Sequence, residues 1–335
     1  MPLISVIIPV YNSIRYLDAC VASILKFQDI DLECILVDDG STDGSGALCD
    51  RIAQSDNRVS VIHQFNSGVS IARNNGIKRA TGTYLYFLDS DDICYITDLD
   101  FLYSNYDLII GQYAIGQEEN HYIAHSIESP ENLEIRFLKD QLKICIGSFI
   151  IRRDIIIDNN IHFPNDIKYG EDQEFILKSI SESKNIMQTK KTFCLYRSNL
   201  SSAMYKITLT RFDVAISRIR LMEYYRMRDK DIYRYIGNNA VFEAIITVSE
   251  GLFRFGMPFN DVWGFIKNNN EVQKFISIDR SANDLDGDKE IKKLKSPIYI
   301  RYIQMKVLWD SFIYKSRCSL SKLYHSILKR INRNL

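Results

Sequence analysis

The sequence predicts an α/β protein with a mostly parallel sheet flanked by helices, and three observations carry that prediction. Short apolar runs alternate with stretches of helical period through roughly the first 90 residues. The first, second and fourth runs end abruptly in polar residues: Tyr11-Asn12, Asp38-Asp39 and Asp89-Ser90-Asp91-Asp92. Parallel strands share one carboxyl edge, so these clusters can converge on one crevice, the place where open α/β sheets bind ligands.

Taken in order, residues 4–11 are β-branched and apolar and read as a buried strand. Pro9 has no N–H to give a ladder, so it should lie at the strand's end. Asn12 or Ser13 is expected to cap the next helix, whose apolar positions Leu17, Val21, Ile24 and Leu25 recur at helical spacing. Residues 32–39 form a second strand ending in Asp38-Asp39. Gly40-Ser41-Thr42-Asp43-Gly44 then turns into a helix through about Ser55. A third strand is expected at 59–64, a helix at 70–80 and a fourth strand at 84–88, Tyr-Leu-Tyr-Phe-Leu. That last strand stops in three carboxylates within four positions, which is costly unless a cation or hydrogen-bond donors neutralise them. An Asp-rich polar turn is the plainer reading of the same residues.

After Asp92 the pattern loosens. It reads as a strand at 107–115, a hairpin or loop at 121–125, a helix at 131–143 and a strand at 145–152. A loop from Phe163-Pro164 runs into Gly170-Glu171-Asp172-Gln173-Glu174, which opens a helix to about Ser183, and a strand follows at 186–197. From Leu209 onward the period is helical. The expected organisation is a sheet domain at 1–205 and a helical region at 206–335, with no internal repeats.

Composition narrows the class. The chain has 335 residues, 46% hydrophobic and 25% charged, which suits a soluble globular protein with a sizeable core. Net charge is zero but unevenly spread: residues 291–335 carry eleven Lys/Arg against one acid, Asp310, so the rest of the chain is acidic. The seven cysteines are scattered, form no C-x-x-C pair and in several cases sit in apolar runs, as buried thiols of a reducing compartment do. The start of the chain has no basic n-region, and no run of about 18 apolar residues exists, so a cytoplasmic protein is expected. His121 and His125 lack the H-E-x-x-H partner of a zinc site. Gly44-Ser45-Gly46 does not continue to G-x-G-x-x-G, and no Walker A lysine follows, which argues against a dinucleotide enzyme or an ATPase.

Four motifs stand in order at the expected strand ends. They are Ser5-Val6-Ile7-Ile8-Pro9-Val10-Tyr11-Asn12, Val37-Asp38-Asp39-Gly40-Ser41-Thr42-Asp43-Gly44, Ser67-Gly68-Val69-Ser70-Ile71-Ala72-Arg73-Asn74 and Leu88-Asp89-Ser90-Asp91-Asp92. Together they resemble family 2 glycosyltransferases over about residues 2–202. The resemblance implies the GT-A fold and an inverting, metal-dependent transfer of a sugar from a nucleotide-diphosphate donor, UDP-linked, to a saccharide acceptor. It implies that Asp39 grips the base or ribose, with Pro9 and Tyr11 lining the pocket. Asp89-Ser90-Asp91 would be the Asp-x-Asp motif, with Asp91 the direct ligand of Mn²⁺ or Mg²⁺ and Asp89 a ribose or water-mediated contact. Asp92 would merely start the next segment. Arg73 would contact the donor or brace the aspartates, whereas Lys78 and Arg79 read equally well as a solvated helix face. Glu171-Asp172 resembles the family's Glu-Asp motif, so Asp172 is expected to be the general base. A helix N-terminus lowers a carboxylate's pKa, so burial or nearby negative charge must restore its basicity. Arg197, before the Ser/Asn-rich stretch 198–202, would clamp the diphosphate.

The basic tail has an apolar stripe at Ile298, Tyr302, Met305, Trp309 and Phe312, with the bases largely off it. Two helices, 298–312 and 319–331, are expected there. They suit either peripheral contact with the anionic inner face of the cytoplasmic membrane, beside a lipid-linked acceptor, or ordinary packing on the acidic body. Nucleic acid is disfavoured because no recognition motif accompanies the charge. The implied setting is surface-polysaccharide assembly of O-antigen or capsule type. Two other readings stay open: a non-catalytic nucleotide-sugar-binding subunit of a membrane complex, and a nucleotidyltransferase. The paired Asp-x-Asp and Glu-Asp elements count against the first. The second usually carries a Gly-rich basic loop where this chain has Tyr11-Asn12-Ser13-Ile14.

Overall fold

The computed structural model describes residues 3–117, 120–123, 132–197 and 208–277. The expected tail helices, the stretch 198–202 and His125 lie outside these residues. The chain divides into two compact units, Met1–Asp166 with Glu171–Ser202, and Ile167–Gly170 with Ala203–Leu335.

In the first unit the strands are β1 (Ile4–Val10), β2 (Leu32–Asp38), β3 (Val59–His63), β4 (Tyr84–Phe87), β5 (Ile93–Cys94), β6 (Leu108–Gln117), β7 (Asn120–Ile123), β8 (Phe149–Arg152) and β9 (Ile186–Arg197). They form one sheet in the order β3-β2-β1-β4-β8-β6-β9-β5, with β7 hairpinned onto β6. The pairs β3·β2, β2·β1 and β1·β4 are all parallel. This is the arrangement the alternating pattern of the first 90 residues predicted. Beyond β4 the sheet is mixed: β8 runs antiparallel to both β4 and β6, while β9 lies parallel to β6. No local period could announce that change, because direction is set by which strand a segment docks beside.

The two faces follow from strand alternation. Ile4, Val6, Ile8 and Val10 of β1 pack with Leu17, Cys20, Val21 and Ile24 of helix α1 (Leu17–Leu25). Ile7, Ile35, Val37, Leu85 and Phe87 face the other way, toward α3 (Val69–Arg79) and α6 (Glu171–Glu182). Helix α2 (Ser45–Ser55) packs beside β3 and β2. Helix α3 passes close to β1 at Gly76, where a Cβ would sit 2.3 Å from Ile7 Cγ2. Gly40 has φ +70° in the turn after β2, with Asn66 N 2.8 Å from where a Cβ would be.

Local structure departs from expectation at four places. Neither Asn12 nor Ser13 caps α1 through its side chain; Tyr16 holds the cap position, and Asn12 takes a left-handed φ of 51°. Its Oδ1 instead accepts from Thr42 N at 2.8 Å, tying the β1 loop to the β2 loop. Pro9 lies within β1, in register with Val37, but beyond the stretch of β1 paired with β4, so its missing N–H falls where that ladder has ended. The helix expected at 131–143 is only α4 (Leu133–Leu138). Asp140 turns left-handed (φ 58°), and the N–H groups of Gln141 and Leu142 return to Arg136 O, ending the helix without the usual glycine. The strand expected at 145–152 begins as a tight turn, Ile146–Ser148, because Ser148 Oγ accepts from Cys145 N at 2.9 Å, and only then becomes β8. A short helix, α5 (Arg153–Asp158), follows β8.

The described part of the second unit is helical: α7 (Asp213–Tyr225), α8 (Lys230–Tyr235), α9 (Val241–Arg254), α10 (Phe259–Asn268) and α11 (Asn270–Ser277). Asp229 caps α8 by accepting from Asp231 N and Ile232 N, and Phe212 stacks on Phe265 at 5.0 Å. No described helix is long and apolar enough to cross a membrane. The six described cysteines are free thiols, five of them buried.

Gly76→Ala should force α3 off β1 and destabilise the protein by about 1–3 kcal/mol, as overpacked cores do. Chemical denaturation should show a lower midpoint with an unchanged slope.

Candidate active site

The carboxyl edge of the parallel strands carries Tyr11, Asp39 and the Asp89–Asp92 turn, while Arg73 lies on α3, Asp172 opens α6 and Arg197 ends β9. Asp39 follows β2 directly and is buried (4% exposed). Its Oδ1 accepts from Gln64 Nε2 and Ser67 N, both at 2.7 Å, and its Oδ2 from Gly68 N at 2.9 Å. Asp39 therefore fastens the loop before α3 to the end of β2. Neighbouring Asp38 points elsewhere, accepting from Ser41 N at 3.0 Å and meeting His63 Nδ1 at 2.9 Å. Burial pushes Asp38 up, but the hydrogen bonds from Ser41 and His63 outweigh it and hold the carboxyl below its ordinary range. Pro9 is buried, whereas Tyr11 at the end of β1 is half exposed, an open ring beside this edge.

The centre of the site is Arg73, on α3 and 4% exposed. Its Nη2 donates to Asp89 Oδ1 at 2.7 Å, and its Nη1 lies 3.9 Å from Glu171 Oε1. The guanidinium also covers the Phe163 ring at 5.2 Å. Its Nε and Nη1 have no hydrogen-bond acceptor among the described atoms. Arg73 thus joins the end of β4 to the start of α6, two points far apart in sequence. Adjacent Asn74 makes a reciprocal pair with the backbone of Phe163, 2.8 and 2.9 Å, and fixes that ring's segment. Phe163 stacks on Phe175 of α6 at 3.9 Å, and both rings meet Phe87 at the end of β4 edge-on, at 5.3 and 5.4 Å. The same aromatic cluster therefore sets the positions of β4's terminal carboxylates and α6's initial ones.

Electrostatics follow from burial. At Glu171, burial first and then Asp172 push the carboxyl up, against the pull of Arg73, to about 7. Burial likewise raises Asp172, opposed by Arg73 and by the N–H of Gln173. Desolvation therefore overrides the helix N-terminus, supplying the basicity a proton acceptor needs. Lys78 and Arg79 are exposed, a solvated face.

The Asp89–Asp92 turn closes with Asp92 N donating to Asp89 O at 2.9 Å. Ser90 Oγ meets Ser13 Oγ at 2.6 Å, joining this turn to the loop after β1. Asp92, expected only to begin the next segment, is buried to 4% and accepts from Arg197 N at 3.0 Å. Burial, then Asp89 and Asp91, raise it well above the ordinary carboxylate range. Arg197, expected at the diphosphate, bonds through Nε to Asp91 O, reaches Tyr16 O at 3.3 Å and covers the Tyr16 ring at 5.0 Å. No local motif could reveal Asp92, Ser13, Tyr16 or Phe163, since each matters through a partner distant in sequence.

Among the described residues no three His, Cys, Asp or Glu side chains gather into a metal-holding group. Arg73 nevertheless sits among three carboxylates, Asp89, Glu171 and Asp172. These carboxylates offer the hard oxygen donors that a divalent cation takes.

Residues 5–159 match the family model described as Glycosyl transferase family 2. The glycosyltransferase GlyG of Streptococcus pneumoniae is 34% identical over 234 residues, 64% of this chain and 76% of the relative. The glycosyltransferase EpsJ of Bacillus subtilis is 32% identical over 218 residues, 60% of this chain; the match spans 63% of that relative, just under two thirds of its length. Among solved structures, residues 1–349 of Staphylococcus aureus TarS in complex with UDP-GlcNAc superimpose with a TM-score of 0.69. That match covers 95% of this chain and 92% of the other at 20% identity, a likeness of fold.

Between about pH 4.3, where an unfolded glutamate titrates, and about 7, the folded protein holds a proton on Glu171 that the unfolded chain has lost. The group thus costs nothing below that window, and its cost grows as pH rises through it, to the order of 3 kcal/mol. Glu171→Gln should gain thermal stability over the wild type as pH goes from 5 to 8, with no gain near pH 4; melting curves across that range check it.

Proposed function

This chain belongs to glycosyl transferase family 2, and from that premise we propose that it transfers a sugar, with inversion, from a UDP-sugar to a hydroxyl of a saccharide acceptor. The observation that carries the reading is the buried Arg73 contact set, which brings Asp89 from one strand end together with Glu171 and, one residue on, Asp172 at one helix start. The UDP-GlcNAc complex of TarS, whose fold this chain shares, supports a UDP-linked donor.

In this reading Asp39, with Pro9 and Tyr11, receives the uridine, and Arg73 and Asp89 face the ribose and diphosphate. Asp91 would hold a divalent cation, Mn²⁺ or Mg²⁺, with Asp89 in support through water, and the cation would neutralise charge on the departing diphosphate. Asp172 takes the proton of the acceptor hydroxyl as its oxygen attacks the anomeric carbon and the bond to the diphosphate breaks on the opposite side. Glu171 keeps that site negatively biased and poised near neutrality. The acceptor follows the resemblance of the motif set: a saccharide on a lipid carrier in O-antigen- or capsule-type polysaccharide assembly. The reaction would then lie at the cytoplasmic face of the membrane, with the basic residues 291–335 against anionic lipid.

Purified protein with a panel of nucleotide sugars should release nucleoside diphosphate from one UDP-sugar in the presence of Mn²⁺ and not after chelation. Release equal in both conditions removes the metal, and release from no donor removes the transferase reading. Asp172→Asn should lower transfer by at least about 10²-fold while leaving donor affinity near wild type, a split between kcat and KM that marks loss of the proton acceptor. Asp91→Asn should lose metal-dependent turnover with an unchanged melting temperature. Full turnover in Asp172→Asn would transfer the base assignment to Glu171.

A further inference from the structure

The aspartate that would hold the metal sits on a turn that is itself poorly secured by strand pairing. Strand β4 ends at Phe87, and β5 is only two residues long, pairing Ile93 with Leu195 and Cys94 with Cys194 of β9. Asp91 lies between these strands, in the turn closed by Asp92 N and Asp89 O. Three carboxylates within that turn repel one another and favour its opening.

Two residues oppose the opening. Where the β5·β9 ladder stops, the Asp92 carboxylate replaces a backbone carbonyl and accepts the N–H of Arg197 at 3.0 Å, across 105 positions of sequence. In return, the Arg197 side chain reaches back over the same turn. Its Nε donates to Asp91 O, and its Nη2 lies 3.3 Å from Tyr16 O and 3.5 Å from Asp92 O. The guanidinium face rests on Tyr16, which holds the cap position of α1. A planar fork meeting several carbonyls at once is a task for arginine, not lysine. The cationic head also lies against the backbone of the segment where negative charge is densest.

We propose that Asp92 and Arg197 form a reciprocal latch that positions Asp91, so that Arg197 serves the metal-holding turn through its backbone before any contact with donor. Asp92 and Arg197 are positioning residues in this scheme, and the proposal rests on the reading of Asp91 as metal ligand. Outer partners of a metal ligand change affinity for the ion by about 10- to 100-fold when removed.

The test is calorimetric titration of Mn²⁺ into the full-length protein saturated with UDP, with a parallel titration of UDP in chelator. Asp92→Ala and Arg197→Lys should each weaken Mn²⁺ affinity by about 10-fold or more and leave metal-free UDP affinity within about two-fold. Asp92→Asn keeps an oxygen acceptor for the Arg197 N–H and should restore most of the loss. The double variant Asp92→Ala/Arg197→Lys should be no weaker than the weaker single, because both break one latch. Unchanged Mn²⁺ affinity in both single variants overturns the latch, as do losses that multiply in the double. A fall in metal-free UDP affinity in Arg197→Lys alone overturns it in favour of a direct diphosphate clamp. Should Asp92→Ala not fold, Arg197→Lys with Asp92→Asn decides the matter on the same two readouts. Wild-type protein that binds UDP but no Mn²⁺ overturns the metal reading itself, and the latch falls with it, a result distinct from intact wild-type binding with indifferent variants.

Discussion

The Arg73 guanidinium is the constraint from which the rest of the site follows. It is almost wholly removed from water, 2.7 Å from Asp89 and 3.9 Å from Glu171. A buried arginine is tolerated only where opposite charge and hydrogen bonds compensate its desolvation. Here the compensation comes from two different elements, the end of β4 and the start of α6. The cost of leaving Arg73 unpaired therefore holds together two segments that would otherwise have no polar reason to meet. Replacing either partner would break more than a pair, since Arg73 already has N–H groups without acceptors.

Packing makes that electrostatic arrangement a matter of geometry. The Phe87, Phe163 and Phe175 rings interlock, and Asn74 ties the Phe163 backbone to the residue next to Arg73. Each ring belongs to a segment that carries or faces a site group. The apolar core and the polar cluster are thus carried by the same or directly linked segments, so a movement in one is felt by the other. Burial also sets the electrostatics: the same exclusion of water that makes Arg73 expensive raises Glu171 to about 7 and pushes Asp172 up from its ordinary value, so both become stronger proton acceptors.

On the other side of the turn, Asp39 shows how a motif residue can carry structural duty as well. Its oxygens collect the N–H groups of Ser67 and Gly68 and the amide of Gln64, so the motif containing Arg73 is bound to the motif containing Asp39. Two stretches that look independent along the chain form one connected edge. The stretch between them holds α2 and β3, and the left-handed turn at Gly40 lets the loop near Asn66 approach.

Sequence alone determined the parallel half of the sheet, the strand ends where polar residues gather, and the family, because strand period, helix period and turn residues are local quantities. Asp39, Asp89, Asp91 and Glu171-Asp172 could be singled out as candidates because each sits at or just beyond an element boundary inside a motif, and Arg73 because it lies in the motif that opens α3. The antiparallel turn of the sheet after β4, the early end of α4 at Asp140, and the internal position of Pro9 were not, since each is decided by a neighbouring strand or by a backbone conformation that no residue type announces. The same holds for Asp92 with Arg197 and for Asn74 with Phe163. Their sequence separations are 105 and 89 residues, and only the closing of the fold makes those groups face one another. Tertiary structure also decided basicity: a helix N-terminus by itself makes a carboxylate a weaker base, and it is burial, which only the folded chain supplies, that reverses the sign.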